Sequence, residues 1–322
     1  MRISNPVTMK FLFLMDPLET VHRLKDTSYA FMIGASRRGH DVYYLPAEGI
    51  TLQDGRLHFD VQEVVPTPDE PSLFDRRQGV RLDAEVVNAV FIRTDPPFDS
   101  QYLTRTLLLD QAPSHLYVIN NPSSVRSVNE KIWALQFTDL VPPSLVTQSL
   151  PRAREFLSEH EIVVAKPTDG FGGKGVFILR DGDPNTNVIF ESLTQDGKVA
   201  IIVQRYIPEA AAGDKRILLL NGEPLGCLLR LHGESDHRNN FFAGGTPHPA
   251  ELTDVDRKII DTLAPHLRNL GLDFVGIDVI GDYLIEVNVT SPTCLQEMNR
   301  LYDVSLEDRV IEFVEEQARA GN

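Results

Sequence analysis

Short apolar runs separated by amphipathic stretches dominate the first third of the chain. Lys10-Phe11-Leu12-Phe13-Leu14-Met15 reads as a first buried strand, ended by Asp16-Pro17. Thr27 and Ser28 can cap a helix running to Arg38 with Gly39 as its C′ residue, and residues 42–45 follow as a strand. Asp54-Gly55, between Ile50-Thr51-Leu52 and Leu57-His58-Phe59, is a hairpin signal. Residues 89–92 and 117–119 are further apolar strands flanking a helix near 100–110, while the proline- and acid-rich residues 66–75 read as a loop. This βαβ-type alternation predicts a mostly parallel sheet.

Asn120-Asn121-Pro122 closes this first unit. The pattern then predicts a helix over 127–139 carrying Glu130 and Lys131, broken by Pro142-Pro143. Residues 162–166 and 176–180 read as strands around a glycine-rich loop, and 199–204 as another strand. Residues 217–220 and 225–230 form a hairpin about Asn221-Gly222, followed by helices near 254–270 and 306–318. The fold class is therefore α/β, becoming α+β in the C-terminal half.

The most informative segment is Phe-Val-Gly-Ile-Asp-Val-Ile-Gly-Asp-Tyr-Leu-Ile-Glu-Val-Asn, residues 274–288. Both arms alternate apolar with polar residues, so Glu286 and Asn288 share one strand face. A two-residue Gly281-Asp282 loop would set Asp278 opposite Ile285, whereas a three-residue loop including Tyr283 sets it opposite Glu286. The odd-length loop is predicted. Asp278, Glu286 and Asn288 then converge as an oxygen-only site suited to Mg²⁺ and substrate phosphates. The plainer alternative is an ordinary hairpin with solvated acids.

Gly170-Phe171-Gly172-Gly173-Lys174-Gly175 spells a dinucleotide fingerprint, but a strand rather than a helix follows it. It is predicted to be a flap between antiparallel strands whose backbone N–H groups can cradle a phosphate. Lys166, closing an otherwise apolar strand beside it, is placed to reach that phosphate. Arg93 ends a buried strand at its carboxyl end, where open α/β sheets bind ligands. Asp214-Lys215-Arg216 opens an apolar strand, Arg230 ends one, and the polar stretch 232–245 holds Arg238 and Asn240 as a candidate lid. Several arginines directed at one cleft imply a substrate with more than one carboxylate.

Composition narrows the classes further. With 322 residues, two or three domains are expected, and the net charge of −15 argues against general nucleic-acid binding. No stretch approaches the ~20 apolar residues of a membrane span, and residues before Met9 read as a polar extension. Cys227 and Cys294 have no metal or redox spacing, which suggests a reducing, cytoplasmic compartment. The nine histidines show no metal spacing, and His22, His232 and His237 read as surface residues. No Ser-His-Asp or Cys-His arrangement declares itself, which fits a mechanism without a protein nucleophile.

Lys166, the flap and the acid-x₇-Glu-x-Asn hairpin, in this order, resemble an ATP-grasp ligase. More narrowly, the chain resembles the bacterial glutathione synthetases. The resemblance rests on MDPLETVHRLKDTSYAFM, IRTDPPFD, NNPSSVRSVNEK, AKPTDGFGGKGVF, GDKRILLLNGEP and FVGIDVIGDYLIEVNVTSPTC, spread between Met9 and Cys294. It implies an N-terminal βαβ parallel-sheet domain at 1–126 and a two-lobed ATP-grasp unit. Residues 127–203 would form the central lid with the flap, and 204–322 the C-terminal lobe with the metal site.

The resemblance also implies an activity: joining γ-glutamylcysteine to glycine with ATP, through an acyl phosphate. It gives Lys131, Lys166, Lys174, Lys215, Asn288 and the flap glycines 170, 172, 173 and 175 to the nucleotide, with Gln204, Tyr206 and Ile207 at adenine. It gives Asp278, Glu286 and Asn288 to a pair of Mg²⁺ ions, with Mn²⁺ as a substitute. Arg93, Arg216, Arg230, Arg238, Asn240, Ser291 and Thr293 become substrate contacts, with Lys166, Arg216 and Arg238 in catalytic roles. A homotetramer, or at least a dimer, is implied. Arg238-Asn239-Asn240-Phe241-Phe242-Ala243 departs from the family's Arg-Gly-Asn-Leu-Ala-Ala, and Thr246 stands where an arginine often follows the paired glycines. Both departures bear on lid closure.

Overall fold

The computed structural model describes residues 8–170, 172–231 and 245–321, and these build three sheets. The first has seven strands. Lys10–Leu14, whose residues 11–14 are buried on both faces, pairs in parallel with Asp41–Leu45 and Ala89–Ile92, and the latter with Tyr117–Ile119. Ile50–Gln53, Arg56–Pro66 and Phe74–Asp83 extend it as an antiparallel meander, so the sheet is mixed. The strand Phe74–Asp83 gave no signal in the sequence. Its middle is charged and exposed, as suits an edge that must not pair with another chain.

Asp26, rather than Thr27 or Ser28, caps the helix Thr27–Arg37: its Oδ1 accepts from the N–H of Tyr29 at 2.8 Å. Gly39 follows with φ +83°, as a C′ glycine should. The helix expected over 127–139 is absent. Pro122–Ser127 is a short helix, and Asn129 Oδ1 then accepts from the N–H of Lys131 at 3.1 Å and of Ile132 at 2.9 Å. That side-chain turn outcompetes continued helix. Only Trp133–Gln136 follows, as one 3₁₀ turn. The interruption carries Glu130 and Lys131 into the cleft described below.

The second sheet is antiparallel, in the order Phe177–Arg180, Ile162–Pro167, Ile201–Arg205 and Ser144–Thr147. The helices Leu150–His160 and Thr186–Thr194, both unforeseen, cover it. Its core of Ala153, Leu157, Val163, Ala165, Leu179, Phe190, Ile201 and Val203 is separate from the rest. The third sheet runs Thr246–Pro249, Glu223–Leu231, Asp214–Leu220, Phe274–Ile280 and Tyr283–Asn288, all antiparallel. Its apolar faces share continuous cores with the first sheet, one of them through Phe274, Phe91 and the helix Leu306–Ala320. Asn120 ties the same two sheets by donating to the carbonyls of Phe274 and Val289, each at 2.8 Å. Two sheets thus form one packed body, while the four-stranded sheet with its own core stands over it.

Candidate active site

A cleft of about 280 Å³ opens between the four- and five-stranded sheets. On its floor Asp278 stands opposite Glu286, as the sequence predicts, but by a different route. Ile280 pairs with Tyr283 and Val279 with Leu284, so the loop is the two residues Gly281-Asp282. A bulge then inserts Ile285 between the paired positions and restores Glu286 to the face of Asp278. Asn288 lies on the same wall, its Nδ2 donating to the Gly276 carbonyl at 3.2 Å, which turns the amide oxygen over to another partner.

Buried charge beside these acids is balanced. Arg216 grips Asp278 through Nε at 2.5 Å and Nη2 at 3.0 Å, and Arg230 Nη2 approaches the same carboxylate at 3.0 Å. Arg230 also forks onto Asp214, with its Nε at 2.8 Å from Oδ1. Burial opposes ionisation of Asp278, but the two guanidinium groups hold its pKa well below the usual carboxylate range. Burial pushes Asp214 the other way. Two acids and two arginines out of water satisfy one another, and the loss of any one strands a charge.

The opposite wall is cationic. Lys166 is six per cent exposed, and its ammonium donates to Gln204 Oε1 at 3.3 Å. Burial brings its pKa down from 10.5 to about 8. Lys131 reaches Glu286 at 3.1 Å and also donates to the flap carbonyl of Gly170. In the flap, Gly172 and Gly175 have φ of +62° and +72°, conformations that a side chain would strain. Gln204, Tyr206 and Ile207 line the cleft where the strand Ile201–Arg205 ends.

The loop after Asn288 completes the site. Ser291 and Thr293 line the cleft, and the Ser291 hydroxyl donates to Asp95 at 2.6 Å. Glu130, partly buried, anchors this loop. Its Oε1 accepts from Val289 N–H at 2.8 Å, Thr290 N–H at 3.0 Å and the Thr290 hydroxyl at 2.9 Å. Asp95, Glu130 and Asp214 were not recognised as site residues. For Asp214 the signal was present, since it lies two positions from Arg216 and so on the same strand face.

Two expected contacts are not brought into the cleft. Lys215 sits between Asp214 and Arg216 and faces the other way, where it pairs with Asp256. Arg93 does not line the cleft: it is buried, donating from Nε to Ser28 Oγ and from Nη2 to the Pro292 carbonyl, both at 3.0 Å. Its Nη1 has no hydrogen-bond partner among the described residues. Arg238 and Asn240 lie outside those residues.

The donor set fits a divalent cation. Two carboxylates and an amide oxygen are hard ligands, and among the described residues no three His, Cys, Asp or Glu side chains converge on one point. A cation here would complete its shell from water and substrate phosphates, as Mg²⁺ usually does. A glycine flap between antiparallel strands, buried lysines facing it and an acidic hairpin beneath define the ATP-grasp class, which binds ATP and divalent metal. Similarity to solved structures agrees on the fold: D-cycloserine synthetase superposes with a TM-score of 0.66 at 15% identity, over 97% of this chain and all of that one.

Family models narrow the class. The prokaryotic glutathione synthetase N-terminal domain matches residues 9–126, and the prokaryotic glutathione synthetase ATP-grasp domain matches 130–303. Glutathione synthetases of Vibrio cholerae and Pseudomonas aeruginosa are each 38% identical, over 97% and 98% of this chain and 99% and 100% of theirs. That of a Nostoc species is 41% identical over 98% of this chain and all of its own. The chain belongs to the prokaryotic glutathione synthetase family.

Proposed function

We propose that the protein joins γ-glutamylcysteine to glycine, consuming ATP and releasing ADP and phosphate. The observation that carries this reading is the single cleft in which Lys131, Lys166 and the flap face Asp278, Glu286 and Asn288. Arg216 and Arg230 lie beside that metal bank and suit an acidic peptide. Lys131, Lys166, Lys174 and the flap amides receive the phosphates, and Gln204, Tyr206 and Ile207 receive the base. Arg216, Arg230, Ser291 and Thr293, joined by Arg238 and Asn240, hold the peptide and amino acid. Asp278, Glu286 and Asn288 would hold two Mg²⁺ ions, or Mn²⁺ in their place, which supply charge neutralisation to the phosphates when bound.

The cysteinyl carboxylate attacks the γ-phosphorus and breaks its bond to ADP. Lys166 and the arginines offset the charge that spreads over the transferring group. The neutral amine of glycine then attacks the acyl phosphate, losing a proton as phosphate departs. Water must be kept out meanwhile, which falls to the flap closing over the cleft. The units are 1–126, 127–203 and 204–322. The separate core of the four-stranded sheet supports the middle one from Leu145 onward, whereas Val128, Ala134, Leu140 and Val141 pack with the other two sheets. Among the described residues no helix is long and apolar enough to cross a membrane; we place the enzyme in the cytoplasm as a homo-oligomer, a tetramer or dimer.

The test is ADP release measured with γ-glutamylcysteine and, in turn, glycine, alanine, serine and β-alanine. Release that requires both dipeptide and glycine supports the reading. Release that is indifferent to the dipeptide refutes it, and preference for another amine corrects the acceptor.

A further inference from the structure

The 290–294 loop presents Ser291 and Thr293 to the cleft, yet the residue between them can offer little of its own. Pro292 has no N–H, and its ring packs so closely on Gly276 that a Cβ there would come within 3.0 Å of Pro292 Cβ. What remains is its carbonyl, which accepts from Arg93 Nη2 at 3.0 Å. Arg93 is held in turn. Its Nε donates to Ser28 Oγ on the helix Thr27–Arg37, and its guanidinium lies 5.7 Å from the ring centres of both Phe31 and Phe274. A planar cation between two rings, forked onto two fixed acceptors, has little freedom to reach a substrate.

We infer that Arg93 is a positioning residue: through the Pro292 carbonyl it sets the loop so that the Ser291 and Thr293 hydroxyls face the acidic peptide, without touching that peptide itself. Further ties act on the same segment: Asn120 at the Val289 carbonyl, Glu130 at the Val289 and Thr290 N–H groups, and Asp95 at Ser291. Arg93 alone, among the described residues, links the loop to the helix Thr27–Arg37 through a single side chain. Its loss should loosen the peptide end of the cleft and leave the metal bank intact, because Asp278 and Glu286 are fixed by strand pairing. The inference rests on the reading of the cleft as a dipeptide site.

The test compares the parent, Arg93→Met, Ser291→Ala and the double variant in the full-length protein. Steady-state constants for γ-glutamylcysteine and binding of Mg²⁺ with a non-hydrolysable ATP analogue are measured for each. Positioning predicts that Arg93→Met raises KM for the dipeptide by about fivefold, the scale of one lost net hydrogen bond. Nucleotide affinity should stay within about twofold, and the double variant should be little worse than the poorer single. Multiplicative losses in the double variant overturn the inference, since Arg93 would then act on substrate independently of the loop. An unchanged dipeptide KM also overturns it, leaving Arg93 a purely structural strut. Should Arg93→Met fail to fold, Arg93→Lys carries the same comparison, because it keeps the charge but cannot fork onto both acceptors. A parent that releases no ADP with dipeptide and glycine sinks the dipeptide reading itself, and this inference with it.

Discussion

Lys166 is the place where binding and stability are set against each other. Its pKa falls from 10.5 to about 8 on burial, which corresponds to about 3 kcal/mol against the charged form in the folded protein. Replacing it with methionine, of similar length and no charge, removes that cost. The same change forfeits the bond to Gln204 Oε1, worth about 1 kcal/mol net. Ligand-free Lys166→Met should therefore be more stable than the parent by about 2 kcal/mol at pH 7 while losing nucleotide affinity. The advantage has a defined pH window. Below pH 8 the lysine is charged both folded and unfolded, so the full cost applies. Between about 8 and 10.5 the unfolded chain binds the extra proton, the parent gains stability with pH, and the gap closes. Urea denaturation of parent and variant at pH 7 and at pH 10, without nucleotide, measures both halves. A variant no more stable than the parent at pH 7, or a gap that widens at pH 10, would refute the reasoning.

Glu286→Gln should lower kcat by roughly 10²-fold, the scale of losing one charge-stabilising contact; near-normal turnover would remove Glu286 from the metal bank. Arg230→Met strands Asp214 and shares Asp278 with one guanidinium fewer, so unfolding free energy should fall by about 3 kcal/mol or more, and an unchanged urea midpoint would contradict that network. Gly175→Ala forces a side chain into φ +72° at a cost of about 1 kcal/mol. It should slow turnover through the flap with little effect on global unfolding, and unchanged kinetics would separate the flap from catalysis.

Much of the fold was legible because its strands are short apolar runs closed by turn residues. The expected strands at 89–92 and 117–119 and the helix at 254–270 coincide with Ala89–Ile92, Tyr117–Ile119 and Asp254–Leu270. The charged edge strand Phe74–Asp83 escaped because its stability comes from pairing with Arg56–Pro66 rather than from its own apolar content. The facing of Asp278 and Glu286 was anticipated while its cause was not. A bulge and an odd-length loop give the same parity, and only strand pairing distinguishes them. The turn at Asn129 escaped for a local reason, since a side chain bonding nearby N–H groups leaves no mark on hydrophobic periodicity. Lys215 could have been excluded by strand alternation beside Arg216. Arg93 could not, because nothing in its neighbours reveals that Pro292, 199 positions away, takes its guanidinium.

The central chemical step can be followed atom by atom. Dipeptide carrying ¹⁸O in its cysteinyl carboxylate, turned over with glycine, ATP and Mg²⁺, should pass one labelled oxygen to each inorganic phosphate released, because that oxygen forms the bond to the γ-phosphorus. Glutathione formed alongside unlabelled phosphate would mean that the carboxylate never attacks phosphorus in this cleft.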